Sequence, residues 1–292
     1  VAISPTVVAI PLYLGLMALE AVEIRRERRD AARQGTAPDM LGYERKDTAT
    51  SLTMGIGSLV VGAIFAGVSL AFDFWFYDRR FLDLGSYAEG AGGVGLAIAA
   101  WALLVVLDDV CYYWFHRVHH ESRFFWAAHV THHSSQHYNL STALRQSWTP
   151  LTALPFYIPV FLLGFTPVQW ALVHGFNLIY QFWIHTEAID RMWRPFEAVM
   201  NTPSHHRVHH GSNKQYLDTN YAGIFIVWDR LFGTFEPEVE RVTYGLTTNI
   251  TSHNPFYVAY HEFVAIGRDV VSAGTWRERW HVSFGKPGWA PR

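Results

Sequence analysis

The chain reads as an all-α, polytopic integral membrane protein: about four transmembrane helices and a cytoplasmic helical cap holding a histidine-rich two-metal site. Three observations predict this. Hydrophobic residues make up 50% of the 292 positions and charged ones only 16%, well under the roughly 25% of soluble domains. Apolar runs long enough to cross a bilayer recur along the sequence. Nine histidines stand beside those runs in three tight sets and one single: His116 and His120; His129, His132 and His133; His185; and His206, His209 and His210.

The spans follow in order. Residues 5–22 (PTVVAIPLYLGLMALEAV) are just long enough to cross a hydrocarbon core of about 30 Å, and 52–76 are comfortably so, with Asp73 near one end. A third run, 94–115, carries Asp108 and Asp109 and leads into His116, so its polar end must face protein, metal or water. The region 150–185 exceeds one crossing, and Gly164-Phe165-Thr166-Pro167 interrupts it with a turn signal, which predicts a hairpin of two shorter helices. Arg25, Arg26, Arg28, Arg29 and Arg33 follow the first span. Read as a loop, they fix that end in the cytoplasm by the positive-inside rule, and counting crossings from there brings all nine histidines to the cytoplasmic side. The whole chain, 1–292, is expected to be one membrane-embedded domain with its catalytic core at about 94–236. Residue 1 is Val, so the numbering is expected to start inside a longer chain, and no signal peptide is recognised.

Spacing points to metal. In HRVHH (116–120) the outer histidines are i,i+4, while HVTHH (129–133) and HRVHH (206–210) carry imidazoles at i, i+3 and i+4, so each set is expected to project from one helix face. Nine imidazoles exceed what a single tetrahedral or octahedral ion accepts, so two metal ions are implied. His119 and His205 point off those faces; His174 lies in the apolar hairpin and reads as structural; His253, His261 and His281 stand outside the sets. Carboxylates and amides are expected to hold the outer ring nitrogens of the ligands. Asp109 and Glu121 lead that list of candidate catalytic positions, Asn213 in HHGSN joins them, and Asn139, Asp218 and Asp229 are further candidates. VWDRLFGTFE (227–236) is expected to form an amphipathic helix or short cap.

Other chemistries find little support. The formal charge of −2 argues against nucleic acid as the main partner, and the single Cys111 permits no internal disulfide. No HExxH, GxxxxGK(S/T) phosphate loop or GxSxG elbow is present.

The order HRVHH, HVTHH, HRVHH resembles the fatty acid hydroxylase and sterol desaturase superfamily. Residues 126–147, 201–213 and 220–238 look most like its alkylglycerol monooxygenase-like bacterial members. The resemblance covers roughly 40–262, and a Glu stands after the first set in that pattern, as Glu121 does here. His137 departs from it, since an acidic residue is expected in SSxxYN. The resemblance implies two iron ions, O2 as co-substrate, hydroxylation of a membrane lipid, and a separate electron donor, either a tetrahydropterin or a redox protein. Desaturation of a sterol or acyl chain is the runner-up. From other classes, a metal-binding or metal-transport protein and a two-zinc hydrolase remain as alternatives. Gathering of the ionisable residues at one face of the membrane speaks against transport.

Overall fold

The structure, a computed structural model, describes residues 4–289; Val1 lies outside them. It is all-helical, with no strand among the described residues beyond one isolated bridge between Gly211 and Tyr244.

Helix α1 (Ile10–Gln34) is continuous through the arginine run, which therefore lies on the helix and not in a loop after it. It stops at Gly35, which takes a left-handed conformation (φ 70°) that its missing Cβ makes cheap. Arg, Glu and Ala are good helix formers, so the charged stretch simply extends the apolar one. Its buried residues, Tyr13, Glu20, Ile24 and Ala31, form one stripe turned to the rest of the molecule. Tyr13 stacks on Phe182 at 4.2 Å, and the Glu20 carboxylate accepts from Leu140 N (2.9 Å), Thr186 Oγ1 (2.5 Å) and the Tyr43 hydroxyl.

Two helices, α2 (Arg45–Tyr77) and α3 (Val94–Glu121), are long and apolar enough to cross a membrane. The most apolar stretch of α2 buries none of its residues, whereas 28% of that of α3 is buried. Ile56, Leu59, Val60, Ile64, Val68 and Leu70 of α2 all point outward. At about 25 cal/mol per Å², such a surface is costly in water and at home in lipid. The α2–α3 link contains the short helix Leu84–Ala88 and the positive-φ residues Gly90, Gly92 and Gly93.

The 150–185 region is a hairpin, but an unequal one. Its first limb is a succession of 3-10 turns (Pro150–Thr152, Leu154–Tyr157) and a five-residue helix, Ile158–Leu162. Pro150, Pro155 and Pro159 lack the N–H that a continuous helix needs, which accounts for the break-up. The turn falls at Gly164 (φ 89°), and α4 (Pro167–Trp183) starts there with a capping box between Thr166 and Gln169. Between this limb, α3 and α4 lies the largest apolar core, which includes Leu104, Tyr157, Val160, Phe161, Phe165 and Val173.

The second and third histidine sets sit on short segments, the turn Val130–His133 and α5 (Pro203–His209). The expected amphipathic segment is a helix over Val227–Phe232, ended by Gly233 (φ 73°). The chain closes with α6 (Pro255–Ser272) and α7 (Trp276–Phe284). A buried ion pair, Arg145–Asp47 (3.1 Å), fastens the first turn of α2 to the second histidine set, since the same guanidinium donates to Thr131 O (3.1 Å) and Ser134 Oγ (3.0 Å). The start of α2 and the end of α3 thus lie at the same end of the molecule.

Candidate metal centre

All nine histidines of the sets come together, in two groups. His116, His120, His129, His133 and His209 form the first; His132, His185, His206 and His210 form the second. Within each group every residue offers a ligand atom within 4.8 Å of the others. His116 and His120 lie one turn apart at the end of α3, and His185 stands just beyond the C-terminus of α4. His129 caps the turn Val130–His133, and His210 caps α5, whose start is set by Pro203 at its first position.

The expectation that each set presents one helix face to one centre needs refinement. In the second and third sets the i,i+4 pair shares a group, and the i+3 residue crosses over: His132 joins the second group and His209 the first. On an α-helix i+3 and i+4 lie on opposite sides of i, 60° behind and 40° ahead of a full turn by 100° steps. A short turn wedged between two centres can therefore serve both.

The inner nitrogens meet edge to edge. Nε2 of His116 and His129 lie 2.9 Å apart, those of His129 and His133 3.2 Å, those of His185 and His206 2.9 Å, and Nε2 of His132 lies 3.2 Å from that of His185. Burial pushes the imidazoles of His129, His132, His133, His206 and His210 well below their ordinary pKa, with neighbouring imidazoles adding to the effect. The same burial lowers His185 to about 3 and His209 to about 4. Neutral rings keep their lone pairs, and Nε2 of His120 and of His209 is buried with no hydrogen-bond partner. Converging, desolvated lone pairs lacking a proton donor are costly unless something positive sits among them. This donor set fits metal cations that favour imidazole.

Three outer nitrogens are held by backbone carbonyls. His116 Nδ1 reaches Tyr221 O (2.8 Å), His209 Nδ1 reaches Thr219 O (3.0 Å) and His185 Nδ1 reaches Gln181 O (2.7 Å). A carbonyl can only accept, so each Nδ1 carries the hydrogen and each Nε2 lone pair turns inward. Sequence reasoning missed Gln181, Thr219 and Tyr221, because a backbone acceptor leaves no residue-type signal.

The carboxylates expected in that position act one step further out. Asp229 accepts from Tyr221 N and Ala222 N (both 2.8 Å) and from Thr234 Oγ1 (2.6 Å). Asp109 accepts from Ile224 N (2.6 Å), Phe225 N (2.9 Å) and Trp228 Nε1 (2.8 Å) and touches no histidine of the two groups. Together they clamp the loop whose carbonyls hold His116 and His209. Asp218 (φ 59°) and Asn220 (φ 55°) bend that loop through the left-handed region that Asp and Asn tolerate best after glycine. Asn201 adds bonds to Ala222 O (2.7 Å) and Gly223 O (3.2 Å).

Glu121 does not face the centre; it pairs with Arg117 at 2.9 Å, one turn back on α3. Asn213 brackets a neighbouring segment, donating to Arg241 O (3.0 Å) and accepting from Thr243 N (2.7 Å). Asn139 bonds Gly42 O, His137 O and Ser141. The carbonyls that hold the rings come instead from the loop at 218–225 and from the end of α4.

The off-face histidines find other partners. His119 bonds Phe115 O (2.7 Å), His205 approaches Thr202 Oγ1 (3.3 Å), His174 pairs with Asp108 (3.1 Å), His253 approaches Thr50 Oγ1 (3.2 Å), His261 Val258 O (3.2 Å), and His281 stacks on Trp289. His137 lies in the turn after the second set, its backbone carbonyl gathering Ser135, Asn139 and Thr142.

Known proteins bear on this arrangement. The family model of the fatty acid hydroxylases matches residues 101–234, the segment that contains every residue of both groups. Alkylglycerol monooxygenase of Homo sapiens is 40% identical over 97% of this chain and 59% of its own length; the Xenopus tropicalis protein of that name is 42% identical over 84% and 53%. A cholesterol 25-hydroxylase-like protein of Danio rerio is 32% identical over 52% of this chain and 62% of its own. The chain thus spans a little over half the length of the first of these relatives. No solved structure matches it. With all nine converging histidines inside the matched segment, the chain carries, over residues 101–234, the domain of the fatty acid hydroxylase family.

Proposed function

We propose that the protein is a membrane-bound di-iron oxygenase that hydroxylates a lipid C–H bond, using O2 and electrons from a separate donor. The observation that carries this reading is the pair of buried imidazole groups, five and four histidines, at the end of an apolar helix fit to cross a membrane. Iron held there would supply the redox chemistry that attack on an unactivated C–H bond requires and that no side chain offers. His116, His120, His129, His133 and His209 would hold one ion, and His132, His185, His206 and His210 the other. The clamped loop at 218–225 orients His116 and His209. Tyr221 packs against His120 (5.3 Å) and Tyr138 against His210 (5.0 Å), and both, almost fully buried, keep water from the groups.

The whole chain is proposed as one membrane-embedded domain with about four crossings and the histidines on the cytoplasmic side. The position of α2's charged first turn beside the second set supports placing both at one membrane face. Reporter fusions after Arg33, Gln136 and Lys214 are expected to read cytoplasmic and one at Gly92 external; a cytoplasmic signal at Gly92 would refute the crossing count.

The likeness to alkylglycerol monooxygenases favours a lipid attacked next to an oxygen or head group, with a tetrahydropterin or a redox protein as reductant. The purified protein would be given alkylglycerol, sterol and free fatty acid in turn, with O2 and either tetrahydropterin or a ferredoxin system. Turnover of the glycerol ether is expected. Turnover of sterol alone would remove the ether assignment, and no aerobic turnover of any lipid would remove the enzyme reading.

A further inference from the structure

We propose that α6 and α7 lie in the head-group region of the bilayer that α2 and α3 cross, as an interfacial anchor that fixes the height of the histidine centre above the lipid. Outward-facing residues of α6 include Phe256, Tyr260, Val264 and Val271, at 67%, 37%, 50% and 83% exposure. Their steps of four, four and seven residues put them on one helix face, opposite the buried Ile266 and the carboxylates of Glu262 and Asp269. On α7, Trp276, Trp280 and Phe284 repeat every four residues and are exposed by 81%, 64% and 40%. Single exposed apolar residues are ordinary; two aligned stripes with two tryptophans are not. Arg268 and Arg277 border the stripes in the open, and Arg279 lies over the Trp276 ring. Tryptophan and arginine on one amphipathic helix, with charges that forbid a full crossing, suit the boundary between head groups and acyl chains.

Continuity with α2 places this surface at the right depth. Phe256 and Tyr260 pack against Trp148, whose Nε1 donates to Met54 O (2.9 Å). Met54 stands between the charged first turn of α2 (Arg45, Lys46, Asp47) and its outward apolar surface, which begins at Ile56. The stripe on α6 therefore starts at the level where α2 enters lipid. The two helices are also tied to the site. Arg123, at the turn before the second histidine set, donates to Glu262 (2.7 Å), Asp269 (2.6 Å) and Val282 O (3.2 Å). The occupant of the surface is thus the bilayer itself, and the inference rests only on α2 and α3 crossing it, not on the reaction.

The test is nitroxide depth measurement on the whole chain in nanodiscs of phosphatidylcholine and phosphatidylglycerol. Labels are placed by Val264→Cys, Trp276→Cys and Trp280→Cys, with Ile64→Cys in the middle of α2 as lipid reference and Lys214→Cys on the cap as water reference. The only native thiol, Cys111, is buried, and the unsubstituted chain serves as labelling blank. The ratio of oxygen to water-soluble nickel-complex collisions at 264, 276 and 280 is expected to lie between the references, several-fold above Lys214→Cys. A ratio at either helix equal to that of Lys214→Cys, from water or from a covering protein, overturns the proposal. So does a ratio equal to that of Ile64→Cys, which would mean a crossing helix.

Discussion

The two histidine groups draw on the same second and third sets, yet they are supported differently. In the first group, the outer nitrogens of His116 and His209 both rest on carbonyls of one loop, at Tyr221 and Thr219, and that loop is held in its course by Asp109, Asp229, Asn201 and two left-handed residues. In the second, His185 rests on Gln181 O, a carbonyl of the last turns of α4, which needs no outside support. The first group also holds both buried Nε2 atoms without a partner, at His120 and His209. One centre is thus oriented by a clamped loop and the other by a helix. The first should yield to changes far from its ligands, and the second should not.

The largest effects test the sorting itself. His133→Ala should empty the first group and His132→Ala the second, although the two residues are neighbours in sequence. Each should lower the iron content of iron-replete protein from about two ions per chain to about one and bring turnover to background. Metal analysis of the purified variants reads this directly. Zinc competes for the same nitrogens, so total metal has to be counted. One ion or fewer per chain in folded, iron-replete wild-type protein would break the two-centre reading. Equal damage from His281→Ala, a ring stacked on Trp289 far outside both groups, would show that folding and not ligation had been measured.

Next comes the loop. Asp229→Ala frees Tyr221 N and Ala222 N and loosens the carbonyl that holds His116. Removing such support should weaken metal binding about 10- to 100-fold, and at the first group only. A chelator should then strip one ion readily while the second stays. If both ions leave together, the loop and helix supports are not independent.

A smaller, steric effect is expected at Gly223. A Cβ there would stand 2.6 Å from Asp109 Oδ1 and 2.9 Å from Asn177 Oδ1, both part of a buried network that cannot easily give way. Gly223→Ala should destabilise the fold by about 1–3 kcal/mol, as overpacking does, and should loosen the same ion as Asp229→Ala. Thermal unfolding of the metal-free and metal-loaded protein checks the first, chelator stripping the second. An unchanged unfolding temperature would mean that the loop has room to shift.

Much of this was legible from spacing and some of it was not. Runs of i, i+3 and i+4 histidines beside apolar helices predicted that the nine side chains would converge, and they do. Which histidine joins which group was not legible, because that depends on how the turn Val130–His133 and α5 are wedged between α3 and α4. The arginines end the apolar run but not the helix, since helix propensity continues through them and Gly35 is the stop. The three prolines of the hairpin's first limb break it into short turns, a local effect that hydropathy alone does not register. Asp109 and Asp229 are expected from the sequence to hold outer ring nitrogens, but their partners are mainly backbone amides brought near by the loop, which no residue spacing encodes.

The smallest effect is expected at Glu121, the residue that sequence alone placed nearest to the centre. Its carboxylate and the Arg117 guanidinium are 35% and 24% exposed, and Arg117 is also bonded to the Tyr113 hydroxyl at 3.1 Å and lies over the Trp114 ring. The arginine keeps those partners if the carboxylate is lost, and a half-exposed i,i+4 pair on a helix contributes less than about 1 kcal/mol. Glu121→Gln should therefore leave metal content unchanged and turnover within about twofold of wild type. The comparison with Asp229 is what gives this its force. Both are carboxylates within reach of the first group in sequence or space, but only Asp229 is connected to a ligand, through two amides and one carbonyl. Loss of an ion from Glu121→Gln on the scale of Asp229→Ala would mean that Glu121 turns toward His120 in the working protein, and that side chains as well as carbonyls orient the first group.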